Sequence, residues 1–163
     1  MFLDAIRRLY DYQREVNSHI LDVAERVTSD EFTAVIIEGQ PSIRDTLVHL
    51  IDVVQTNVSW WDKSLSGEDT FAREFPVEDF KDISSLKIFW KAADADVSNF
   101  IDSLTANEDL ERVYVRTTPS GEVRTRLLWE MMLHVLNHGT QHRSEVAVML
   151  TKLGHSPGDM EIL

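Results

Sequence analysis

Four stretches of this chain repeat apolar side chains at steps of three and four residues, the period of a helix that hides one face, and nothing else in the sequence constrains the fold as strongly. The first runs from Phe2 to Val27 through Leu3, Ile6, Leu9, Tyr10, Val16, Ile20 and Val23. The second opens at Ser42 and reaches about Leu65. Ile43, Leu47, Leu50, Val54, Trp61 and Leu65 share one arc of it, with Val53 and Trp60 as a stripe beside them. The third spans about Asp82 to Leu104 through Ile83, Leu86, Phe89, Trp90, Val97, Phe100 and Ile101. The fourth spans about Leu127 to Leu153 and stops at Gly154, with Pro157 and Gly158 beyond. Helices of this kind bury their apolar faces against one another, so an all-α four-helix bundle is expected, with Trp60, Trp61, Phe89 and Trp90 serving its core.

The breaks fall where the chain can turn. Thr28 to Pro41, with Gly39 and Pro41, reads as a connection on the bundle surface. Ser42 and Asp45 give the second helix an S-x-x-D start, a relative of the capping box. Gly67 to Lys81 carries Pro76 and several charges and is expected as the long crossover of the bundle. Val113, Val115, the turn Thr118-Pro119-Ser120-Gly121 and the segment Glu122-Val123-Arg124-Thr125 alternate as a small β-hairpin before the last helix. No repeat, low-complexity tract or shift of composition divides the chain, so residues 1–163 are read as one domain.

The last helix carries His134, His138 and His142 at four-residue steps, which stacks them along one face. On a wheel of about 100° per residue, Leu128, Met131, Met132, Val135, Val146, Met149, Leu150 and Leu153 lie within about 50° to 60° of one line. His142 falls inside that arc, His138 at its edge, and His134 roughly 40° further towards solvent. Gly139, near the centre, costs the helix roughly 1 kcal/mol relative to Ala and so implies close approach of another helix or of a bound group. A lone buried imidazole is most simply hydrogen-bonded to a carbonyl or carboxylate. Two at H-x3-H spacing, both turned inward, instead have the arrangement of ligands for Zn, Ni, Cu or Fe. The best third donor is His49, on the side of the second helix that bears Val53 and Trp60; His19, His155, Asp52 and Glu145 are the alternatives. Three imidazoles leave a divalent ion a coordination position for water or a thiolate. The H-E-x-x-H pattern and paired Glu-x-x-His motifs are both missing, so a single ion is expected.

Composition narrows the partners. The formal net charge is -12, from 28 acidic against 16 basic side chains, a field that repels nucleic acid and anionic membrane surfaces and leaves small molecules as the expected ligands. Arg112, Arg116, Arg124 and Arg126 are a local exception that could attract a small anion or simply keep a hairpin edge soluble. The chain has no cysteine, so any thiol chemistry must use a thiol from outside. The start, MFLDAIRRLYDYQ, lacks a signal-peptide run, and no apolar stretch approaches the roughly 18 residues of a membrane span, so a cytoplasmic location is expected.

The run Leu133-His-Val-Leu-Asn-His-Gly-Thr-Gln-His-Arg-Ser-Glu-Val, continued by Met149-Leu150 and Leu153-Gly154, resembles the closing helix of the DinB superfamily. Ser42-Ile-Arg-Asp-Thr-Leu-Val-His-Leu resembles the start of that family's second helix, and the Ser120-Gly121-Glu122 turn fits as well. The resemblance implies a four-helix bundle with a long crossover, homodimers formed through helix faces, and one metal ion held by His49, His138 and His142, with zinc the first expectation and nickel or iron the next. Gln141, where an aromatic is frequent, and Ser144-Glu145, where Gly-Gln is frequent, depart from the family pattern without removing a ligand.

The family includes thiol-dependent transferases and isomerases, proteins labelled metal-dependent hydrolases, and members of no known activity. The first expectation is therefore a metal-dependent enzyme of the thiol-transferase type, using an external low-molecular-weight thiol. Hydrolysis at the same ligands is the second. A dimeric, non-catalytic stress-response or binding protein with a structural metal is the third. Asp45 and Glu145, each one helical step from a ligand, read first as surface helix carboxylates and second as candidates to orient the imidazoles, and Arg143 is read either as an anion holder or as a surface ion-pair member.

Overall fold

In a computed structural model, which describes residues 1–64, 75–117 and 120–162, the four apolar periods become four long helices. They are α1 (Phe2–Ala24), α3 (Ile43–Ser64), α4 (Ile83–Ser103) and α5 (Leu128–Lys152). A short helix, α2 (Ser29–Thr33), lies in the first connection, which the sequence left unstructured. Its cause is local. The Thr28 side chain accepts from Glu31 N while the Glu31 carboxylate accepts from Thr28 N at 2.8 Å, a reciprocal cap, and Phe32 is thereby buried.

The starts of α3 and α4 are capped as well. Ser42 Oγ accepts from Asp45 N at 3.1 Å, but the Asp45 carboxylate turns to Arg44 at 2.9 Å, so only half of a capping box forms. Asp82 Oδ1 accepts from Ser85 N at 2.8 Å ahead of α4. At the end of α5, His155 N donates to Leu150 O at 2.8 Å, and Gly154 supplies the positive φ of 85° that this closure needs.

Helix α5 packs mainly on α3 and α1, and α4 packs mainly on α3, so α1 lies diagonal to α3 and α4 diagonal to α5. The two connections that span diagonals are thus the ones carrying α2 and the hairpin. The stretch from α3 to α4, expected as the crossover, joins neighbouring helices; Leu65 and residues 67–74 lie outside the described residues. The hairpin is present as β1 (Val113–Thr117) and β2 (Val123–Leu127), antiparallel, with Val113 opposite Leu127 and Val115 opposite Thr125. Its expected turn at Thr118-Pro119 is outside the described residues. Tyr114 holds it to the bundle by donating to Trp61 O at 3.0 Å.

One core runs the length of the bundle and includes Trp61 and Trp90, while Trp60 and Phe89 pack at its rim. None of the described helices is long and apolar enough to cross a membrane.

Candidate metal centre

The α3–α5 seam brings together the three histidines singled out from the sequence. His138 and His142 lie one turn apart on α5, and His49 faces them from α3. His138 Nε2 is 3.2 Å from His49 Nε2 and 3.1 Å from His142 Nε2. One donor nitrogen from each ring fits within a 4.8 Å span.

These distances match a shared ion better than hydrogen bonds. An imidazole Nε2 has a single in-plane position, filled by either a proton or a lone pair, so His138 Nε2 cannot satisfy two facing nitrogens at once. Zinc–nitrogen bonds of about 2.0–2.1 Å at tetrahedral angles would hold donor nitrogens roughly 3.3 Å apart, close to what is found. The donor set therefore fits a borderline transition metal.

The electrostatics keep the lone pairs available. Burial first, and then the neighbouring His142 and His49 rings, push the His138 pKa down to about 4, so its ring is neutral near pH 7. His49 is lowered by the same causes, burial first and His142 next, although its outer side is exposed to solvent. His142 Nδ1 meets Glu145 Oε2 at 2.6 Å, which places the ring proton on Nδ1 and turns the Nε2 lone pair towards its partners. Burial raises the Glu145 pKa, but hydrogen bonds from His142 and Gln141 outweigh it and hold the group ionised. His138 Nδ1 is buried with no hydrogen-bond partner, so the polar contacts of that ring lie on its Nε2 side.

The alternatives are elsewhere. His134 is exposed, 6.2 Å from His138 between ring centroids, and outside the cluster. His19 Nε2 is bound to Pro157 O at 2.7 Å, clasping the segment beyond α5. His155 lies past the end of α5 near Glu31. Asp52, one turn beyond His49, acts on that ring as a nearby negative charge. Of the two carboxylates considered as partners of the ligand rings, Glu145 meets His142, whereas Asp45 is engaged with Arg44.

Arg143 corrects its sequence reading on both counts. It is 3% exposed, neither a surface ion-pair member nor open to a substrate, and donates to Asn17 Oδ1 at 3.2 Å and Thr140 Oγ1 at 3.0 Å. Burial lowers its pKa to about 10. Its guanidinium also explains Gly139: a Cβ there would sit 2.9 Å from both Arg143 Nη1 and Gln13 Oε1. Of the four basic residues around the hairpin, Arg112 pairs with Asp109 at 2.5 Å and Arg124 with Glu122 at 2.9 Å.

Comparison with known proteins agrees with this architecture. A family model described as the DinB family matches residues 1–163. The protein DinB of Bacillus subtilis is 24% identical over 155 residues, covering 91% of this chain and 86% of that protein. A DinB-like protein from Bacillus cereus superposes with a TM-score of 0.74 at 15% identity, over 96% of this chain and 95% of that one. A second DinB-like protein, from Bacillus subtilis, gives 0.63 at 12% identity, over 91% and 93%.

Proposed function

This chain belongs to the DinB family, and from that premise and the three convergent imidazoles we propose that it is a mononuclear metal-dependent enzyme that transfers an external low-molecular-weight thiol to a small electrophile. The observation that carries the reading is the convergence of three Nε2 atoms, His138 lying 3.2 Å from His49 across the α3–α5 seam and 3.1 Å from His142 on its own helix. These residues would hold the ion, with zinc the first choice and nickel or iron the alternatives for an all-nitrogen set. A bound ion supplies Lewis acidity that lowers the pKa of a thiol or water in its remaining position.

The chain's own groups do the rest. The depressed pKa of His138 keeps its donor unprotonated, and Glu145 fixes the tautomer and tilt of His142. The exposed side of His49 gives a small molecule a way in. The thiol sulfur would form a bond to the electrophilic carbon as the leaving group departs with its electron pair and the thiol proton passes to solvent. With no cysteine in the chain, the sulfur must arrive from outside, which a cytoplasmic thiol pool would supply. A hydrolase at the same ligands would need a proton-handling group near the ion, and Glu145, the carboxylate that touches a ligand ring, is already committed to His142 and Gln141. The assembly to look for by light scattering is a homodimer.

Elemental mass spectrometry on natively purified protein tests the reading. About one ion per chain is expected, lost in His138→Ala and retained in His134→Ala. A panel of small thiols with chlorodinitrobenzene as electrophile should show turnover that His138→Ala removes. Wild-type protein without an ion, or turnover unchanged in His138→Ala, would refute the proposal. An ion whose chelation lowers the melting temperature, with no thiol or ester turned over, would leave the metal structural.

A further inference from the structure

On the side of the bundle away from the histidines, α1 and α4 meet more loosely than the other packed pairs of long helices. Between them is a cavity of about 210 Å³. At roughly 30 Å³ per water this is room for about seven waters, or for an organic molecule of similar size. Its floor is apolar, from Ile51 and Val54 of α3, and its walls include Gln13 and Asn17 of α1 and Trp90 and Asp94 of α4.

The polar groups there are incompletely matched. Trp90 is 2% exposed, and its indole N–H closes no hydrogen bond of full geometry, though it acts on the Asp94 carboxyl one turn further along. Three carboxylates line the cavity, Asp11, Asp94 and Asp102, against one cation, Arg14. Arg14 lies at the solvent side and is already engaged, donating to Asp11 at 2.8 Å and to Ser98 at 3.0 Å across the two helices. No ion pair forms at Asp94 or Asp102 among the described residues.

We propose that this cavity is a binding site for a small organic ammonium ion, with Asp94 as its counter-ion and Trp90 as the aromatic wall. Burial pushes the Asp94 pKa up to about 6, against the lowering effect of Arg14, so the ionised carboxylate sits there at a cost that an incoming cation would offset. An indole face is the best aromatic partner for an ammonium group, and the aliphatic floor suits a short alkyl chain. An anion would meet the excess of carboxylates, and a neutral molecule would leave Asp94 without an ion-pair partner. Entry is open. Arg14, Trp90 and Asp94 also border a surface groove that runs on to Leu21 and Ile88.

The test is titration of the protein as purified with n-butylammonium chloride, n-butanol and sodium butyrate at one ionic strength. Calorimetry gives affinity, and the Trp90 indole N–H resonance, assigned with Trp90→Phe, gives location. Saturable one-to-one binding of the ammonium ion alone is expected, shifting that resonance and weakening at least tenfold in Asp94→Asn, a near-isosteric change. Asp30→Asn, at an exposed carboxylate in α2, controls for net charge and should bind as the wild type does. No uptake of the ammonium ion, equal uptake of butanol, or binding indifferent to Asp94→Asn would each overturn the proposal.

Discussion

Gly139→Ala distinguishes a glycine kept for space from one that is merely tolerated. On helix propensity alone the change should stabilise α5 by roughly 1 kcal/mol. The structure predicts the reverse. The new methyl would lie 2.9 Å from Arg143 Nη1 and from Gln13 Oε1, closer than a Cβ can approach. Both atoms end flexible side chains, but both residues are 3% exposed, and the guanidinium is tied to Asn17 and Thr140. Moving Nη1 means giving up its buried bond to Asn17, a hydrogen bond from a charged donor worth about 1.5–3 kcal/mol, where water does not replace the partner. Set against the propensity gain, the net is destabilisation of about 0.5–2 kcal/mol. Urea denaturation followed by circular dichroism, in the presence of a chelator so that no ion contributes, should show a lower midpoint at unchanged slope. A midpoint raised by the equivalent of ~1 kcal/mol would mean that Arg143 and Gln13 move aside freely and that the packing explanation of Gly139 is wrong.

Glu145→Ala removes the carboxylate that orients His142 and should weaken metal affinity about 10–100-fold in a competition titration with a chromophoric chelator, with Glu145→Gln in between because its amide oxygen still accepts. Metal affinity unaffected by both changes would show that His142 needs no orienting partner. Asp94 makes the stability of the protein pH-dependent. Its pKa is raised by burial to about 6 in the folded chain, beside Arg14, Asp11 and Asp102, from the ordinary carboxyl value of 3.8. The folded state then holds the proton more tightly, so this contribution is full below about pH 4, declines as pH rises through 6, and is constant above that. Asp94→Asn should flatten that part of the melting-temperature profile relative to wild type, and parallel profiles would place the carboxyl in water.

The bundle was readable because its elements announce themselves locally. The apolar period locates each long helix to within a few residues, and Ser42, Asp82 and Gly154 mark ends by chemistry that needs no distant partner. His138 and His142 were readable for the same reason, since one helix fixes their spacing. His49 depended on the face of α3 that carries Val53 and Trp60, and the pairing of α3 with α5 completes the trio. Arg143 was misread because its charge was weighed before its position. It falls within the same arc of α5 as Gly139 and Val146, and all three are buried. Gln13 and Asn17 were passed over in α1 in the same way, though they continue the phase of Tyr10 and Ile20 and are buried with them. The α1–α4 cavity had no local signature at all, because which helices become neighbours is decided by the connections and not by any one helix.

His138 and His142 ride on one rigid rod, while their third companion belongs to another. A slip of α3 along α5 by a single residue, ~1.5 Å, would carry the His49 nitrogen most of a bond length out of place. Cation affinity is in that sense a gauge of interhelical register. Shaving buried side chains on those two helices, such as Leu47 or Val135, can detune it without altering any donor atom.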